Sequence, residues 1–279
     1  MLAALLALAA APAPVPWAPA GIASPQFESH AAFDPLNGDF YFVRSRPDFS
    51  GWRILVSHCG PAGWTPSADA PFAGDGVEAD PGFAEGGQAL WFISTRSTDG
   101  IHRTDLDIWT VRRGADGAWG VPERLPEPVN STGAEWFPRW APDGWLYFGS
   151  SRPGGLGRND IWRARRREDG SWMVENAGPA INSAGDEYEP LISADGRRML
   201  LAAGDGYYES RYENGRWTPR VRLGPEVNVN GTEIGAVFSP SGRSFLFSRD
   251  LGPGRSGEFL VVGAPEPGWP PACPRGTPH

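Results

Sequence analysis

Cysteine, histidine and long apolar runs are all scarce in this chain, and each scarcity closes off a class of explanation. Only Cys59 and Cys273 occur among 279 residues. Neither has a second cysteine or a histidine cluster at metal spacing, although His58 adjoins Cys59, so a structural zinc site is excluded. An oxidising compartment would permit one disulfide between them, with two unpaired thiols as the alternative. No stretch beyond the first dozen residues is apolar enough to span a bilayer. Basic residues are outnumbered 25 to 33, and the net charge of -8 repels phosphate backbones and anionic lipid heads. Nucleic acid and membrane surfaces are therefore excluded as partners. There is no G-x-S-x-G, and "RPGGLGRND" has neither a following helix start nor a phosphate-loop Lys, so it reads as a rim loop. His102 and His279 read as solvated side chains.

What is abundant points one way. Gly (37), Pro (29) and Trp (13) favour short strands with many turns, and 40% hydrophobic residues suffice for the core of one domain. The opening "MLAALLALAAAPAPVPWAPA" has a secretory h-region followed by small residues, though no Lys or Arg precedes it. Residues 1–16 are expected to be a signal peptide and 17–279 a single exported domain, periplasmic or secreted.

A repeat organises that domain. Copies begin at Glu28, Glu78, Glu135, Glu187 and Glu233, at intervals of 50, 57, 52 and 46 residues. They close on Trp64, Trp119, Trp172, Trp217 and Trp269. Within the third copy, "EWFPRWA" and "WLYFGSS" are strands joined by a turn at Asp143–Gly144, "DIWRARR" is a third strand and "SWMVENAG" a fourth. Four antiparallel strands per copy make one propeller blade.

"NSTGAEWFPRWAPDGWLYFGSSRPGGLGRNDIW" resembles the WD40-like repeat of TolB-type β-propellers, and weaker versions extend over residues 24 to 262. The resemblance implies an all-β propeller, frequently periplasmic and concerned with binding; it implies no reaction. Five blades are expected, with the six of TolB as the alternative. "VPWAPAGIASPQFE", residues 15–28, looks like a shortened handover segment that adds an outer strand to the last blade. A disulfide between Cys59 and Cys273 would then fasten neighbouring first and last blades.

Antiparallel pairing places the repeated charges on one rim. Glu135, Arg152 and Asp160 are expected to converge there, as are Glu78, Arg96 and Asp107, Glu28 with Arg46, and Glu233 with Arg249. Blade 4 offers Glu187 without a matching Arg. Such a rim either ties strand ends together or binds a ligand. Two residues after each Glu stand His30, Asp80, Phe137, Glu189 and Gly235, on the same side if alternation holds. His30, Asp80 and Glu189 are candidates for a divalent-cation site or for glycoside chemistry at the channel mouth, with three solvated polar residues as the plainer alternative. The once-per-blade Trp residues, and Trp52, Trp91, Trp109, Trp145 and Trp162 within strands, are expected to pack between blades. The reading is a monomeric, non-catalytic module for a protein, small-molecule or glycan ligand, needing no cofactor. The alternative is a polysaccharide-active hydrolase or lyase using Asp80, Glu189 and His30.

Overall fold

The computed structural model describes residues 13–101, 103–252 and 257–273; the first twelve residues of the expected leader, His102 and His279 lie outside them. Five antiparallel sheets form a ring of five blades, a β-propeller. The innermost strands are Phe27–Phe33, Glu78–Ala84, Glu135–Trp140, Glu187–Ile192 and Ile234–Phe238. In blade 3 the order outward is Glu135–Trp140, Leu146–Ser150, Asp160–Arg166 and Trp172–Asn176. The first hairpin turns at Gly144, whose φ of 81° is open to glycine at no steric cost.

Second strands are buried on both faces, which explains their unbroken apolar runs. Side chains alternate, so Leu146 and Phe148 enter the core shared with blades 1 and 2, while Tyr147 enters the one shared with blade 4. Several tryptophans fill the wedges. Trp119 donates its indole N–H to the Tyr41 hydroxyl of blade 1 at 2.9 Å, and Trp217 does the same to Tyr147 of blade 3 at 3.2 Å. Trp52 and Trp145 depart from expectation, since each precedes its strand, Arg53–Ser57 and Leu146–Ser150 respectively.

Three asparagines just ahead of the inner strands brace the preceding blade. Asn130, Asn182 and Asn228 are buried, and each accepts from and donates to the backbone of one residue, Ile108, Ile161 and Tyr207. Such a clamp satisfies backbone groups that the sheet leaves open.

Both chain ends cross the same seam. Val15–Pro16 pairs with Leu260 and Val261 as the outer strand of blade 5, and the Trp17 N–H continues the ladder to the Phe259 carbonyl at 2.8 Å. Trp17 then packs on Phe33 and Phe40 of blade 1. In the other direction the chain leaves blade 5 and bonds Cys273 to Cys59, with Cα atoms 5.4 Å apart, in a small hairpin beyond the third strand of blade 1. Val15 and Pro16 thus form the outer strand of blade 5.

Candidate functional site

The innermost strand of every blade carries the same irregularity. Pairing with the second strand breaks between Ser29 and Ala32, Ala79 and Gly82, Trp136 and Arg139, Tyr188 and Leu191, and Ile234 and Val237. Two residues there face one on the partner, which defines a β-bulge. The first of the two has a left-handed backbone in all five blades: His30 (φ 52°), Asp80 (59°), Phe137 (49°), Glu189 (55°) and Gly235 (67°). Four non-glycine residues in that region carry strain of about 1–3 kcal/mol each, held by the surrounding sheet. Pro81, Pro138 and Pro190 follow in the bulge, where a missing N–H costs no ladder bond.

The bulge brings three of these side chains into one group. His30 Nε2 lies 3.1 Å from both Asp80 Oδ1 and Glu189 Oε1, and all three residues are buried. His30 Nδ1 is 2.7 Å from Ser29 Oγ. The other oxygens reach forward by one blade. Asp80 Oδ2 accepts from the Phe137 N–H at 2.8 Å, and Glu189 Oε2 accepts from the Gly235 N–H at 2.7 Å and the Tyr207 hydroxyl at 3.3 Å. Tyr207 in turn accepts from the Ala236 N–H. Arg139 stacks on Phe137 at 3.6 Å and donates to the Asp80 carbonyl. Two acids thus face two basic groups inside the ring, and each carboxylate oxygen has a partner.

Alternation does not account for this placement. It would put each bulge residue beside its Glu, whereas the Glu carboxylates sit inside the blade ends and the bulge turns His30, Asp80 and Glu189 to the axis.

Burial opposes the charged imidazole of His30, but Asp80 and Glu189 outweigh it and hold its pKa above 6.5. Asp80 is pushed up from 3.8, chiefly by burial and against the pull of His30. Desolvation draws Arg139 down to about 10, so it remains charged at neutral pH. A His pKa raised on folding adds stability that is complete below the unfolded value of 6.5 and is lost as pH rises through the folded value. The unfolding free energy is accordingly expected to decline on the alkaline side of pH 6.5. His30→Gln should flatten that slope and cost about 3–5 kcal/mol below it, the range for breaking a buried ion pair. Urea titrations at several pH values check both; an unchanged slope in the variant would assign it elsewhere.

Above this floor opens a cleft of about 290 Å³, walled by Phe49, Trp52, Trp136 and Tyr188, with Ala79, Ile234, Val43 and Asn159. Trp52 meets Trp136 edge to face with centroids 6.0 Å apart. Trp52 and Trp136 are half-buried, and Phe49 is 40% exposed. Trp52 packs between blades as expected, against Trp136 and the core beneath, and its ring also forms a wall of the channel mouth. Ala79, Trp136, Tyr188 and Ile234 each follow the position of a repeated Glu. That column, read across the copies, was the sequence signal for the wall. Arg139 and Tyr207 had no such signal.

The repeated rim charges lie elsewhere. Glu28, Glu78, Glu135, Glu187 and Glu233 are 0–2% exposed and tie each inner strand to the loop before it. Glu135 accepts from Ser131 Oγ (2.6 Å), Ser150 Oγ (2.9 Å) and Arg152 (3.0 Å). Glu28 takes Ser24 and Arg44 (2.7 Å), and Arg46 instead stays exposed beside Ser50 and Asp48. Glu78 pairs with Arg96, and Glu233 with Arg249 at 3.0 Å. In blade 4 the missing partner comes from the outer segment, where Arg220 reaches Glu187 at 2.6 Å. The expected triplets do not form. Asp107 pairs with Arg124 rather than Arg96, and Asp160 accepts from the Leu156 and Gly157 N–H groups and Asn176 rather than from Arg152. These carboxylates are buried and paired within their blades.

The divalent-cation reading of His30, Asp80 and Glu189 does not match the geometry. The imidazole nitrogen that would bind a metal is turned into both carboxylates. Among the described residues, no group of three or more His, Cys, Asp or Glu side chains is arranged to hold an ion.

No family profile matches the chain, and no curated protein matches it. Solved structures share its fold at low identity. The putative TolB from Agrobacterium tumefaciens is 15% identical, with a TM-score of 0.53 over 87% of this chain and 92% of its own. The alpha-L-arabinanase of Penicillium chrysogenum, solved with arabinobiose, is 13% identical, with a TM-score of 0.52 over 91% of this chain and 99% of its own. At these identities the likeness is one of architecture: the chain is a five-bladed β-propeller with TolB-like and arabinanase-like structural neighbours.

Proposed function

We propose that this propeller is an exported, non-catalytic binding module of the TolB type, built of WD40-like repeats, which takes its ligand in the cleft at one mouth of the channel. One observation carries the reading: an aromatic-walled cleft lies over a polar floor whose carboxylates are committed to protein partners. General acid–base chemistry needs a proton or lone pair within reach of the substrate. Here the oxygens of Asp80 and Glu189 are occupied by His30, by Tyr207 and by the next blade. Small-ligand sites have this composition, mostly apolar walls with a few fixed polar groups. The ligand is a small molecule, a glycan residue or an inserted side chain of a protein partner. Export is supported by the apolar run and small residues that make residues 1–16 resemble a signal peptide. Among the described residues, no helix is long and apolar enough to cross a membrane.

A second reading, a polysaccharide-active hydrolase or lyase, is favoured by the closeness of Asp80 and Glu189, both within 3.1 Å of one nitrogen. A glycan panel separates the two. Turnover that falls about 10²–10⁴-fold in Asp80→Asn or Glu189→Gln, with the fold retained by circular dichroism, would establish the enzyme. The binding module predicts no turnover, together with saturable binding that Trp136→Ala weakens about tenfold.

A further inference from the structure

Most side-chain hydrogen-bond donors around the cleft are already taken. The Trp52 indole N–H is taken by the Phe49 carbonyl at 2.7 Å. Asn159 donates to Asp186 at 2.9 Å, and the Tyr188 hydroxyl is within 3.5 Å of the Ala203 carbonyl. His30 holds its Nε2 proton between the two carboxylates. These groups leave π faces toward the cleft, above two carboxylates that contribute negative charge while their oxygens stay bonded within the floor. Among the described residues no Arg lines the cleft, and the chain contains no lysine at all. A sugar needs donors as well as acceptors, and an anion would meet two acids. A cation with polarised C–H groups is complementary to both aromatic faces and the acidic floor.

We propose that the cleft selects a compact organic cation, of the alkylated-ammonium class, between Trp52, Trp136, Phe49 and Tyr188 and above Asp80 and Glu189. The inference rests on the reading of the cleft as the ligand site. The charged and titratable groups facing His30 are Asp80, Glu189 and Arg139, with Tyr207 and Tyr188 behind Glu189. With His30 protonated they balance; without that proton the floor carries one net negative charge. Cation binding and His30 protonation therefore compete, and binding expels a proton to solvent.

The test uses the intact protein and calorimetric titration with choline, tetramethylammonium, 3,3-dimethylbutan-1-ol as the uncharged shape of choline, and a neutral oligosaccharide panel. Choline is expected to bind at least about tenfold more tightly than the alcohol. Its affinity should rise with pH by up to about tenfold per unit and level off above the folded pKa of His30, with proton release seen in buffers of differing ionisation enthalpy. Trp52→Leu, outside the ion-paired floor, should lose about tenfold with the fold retained by circular dichroism; Phe49→Leu serves as a second variant. Equal affinity for choline and the alcohol, or affinity indifferent to both variants, overturns the proposal. If an oligosaccharide binds and choline does not, the cation is wrong and the cleft-binding reading stands; if nothing binds, both fall.

Discussion

Gly235→Ala is expected to cost about 2–5 kcal/mol, combining left-handed strain of about 1–2 kcal/mol with overpacking of about 1–3 kcal/mol. Gly235 occupies in blade 5 the position that His30 holds in blade 1, at φ 67°. A Cβ there would stand 2.7 Å from the Cα of His30 and closer still to its backbone nitrogen. Backbone cannot swing aside as a side chain does, so relief requires the first and last blades to part. The same shift would pull the Gly235 N–H from Glu189 and loosen the channel floor. Gly38→Ala is the control: its φ of 77° is equally left-handed, but the space around it is open, so about 1 kcal/mol of strain alone is expected. Urea denaturation of both variants measures the contrast, and similar losses in the two would show that crowding at the seam contributes nothing.

Reduction of the Cys59–Cys273 bond is expected to lower stability by about 5 kcal/mol, the chain-entropy value for so long a loop. The two cysteines are 214 residues apart, so the bond encloses almost the whole ring in the unfolded chain. Cys273→Ser should reproduce the effect without reductant. In hydrogen exchange, protection should fall first around Cys59–Gly60, Gly63–Trp64 and Val15–Pro16. A stability change below about 1 kcal/mol would mean that the pairing of Val15–Pro16 with blade 5 holds the seam alone.

The architecture was legible in the sequence because it is written five times. A Glu, a hairpin turn and a closing Trp, each at nearly constant phase, locate the blades without any single strand being decisive. The gathering of His30, Asp80 and Glu189 was legible for the same reason, as a column in the repeat, although strand alternation assigned it the wrong geometry. A bulge adds one residue without changing composition, so only the proline after Asp80, Phe137 and Glu189 hinted at it. Charge pairing was the least readable layer. Arg44 and Arg46 are both one strand away from Glu28 in sequence terms, and side-chain direction decides in favour of Arg44. Arg220 reaches Glu187 from an outer segment 33 positions later, where no local rule connects them. Blade 2 shows what such a pairing protects. Ser24, Ser131 and Ser183 each cap the Glu four residues on, but Gly74 stands in that place before Glu78, and the buried Oε2 of Glu78 has no hydrogen-bond partner among the described residues.

The five left-handed positions make the channel interior a short text separable from its page. Every blade already bends its backbone for that one residue, so an exchange there alters the contacts of the side chain and not the bend itself. Read around the ring it spells His, Asp, Phe, Glu, Gly, and an engineer could respell the first four letters to fit another guest. The fifth is fixed, because there the circle has to close.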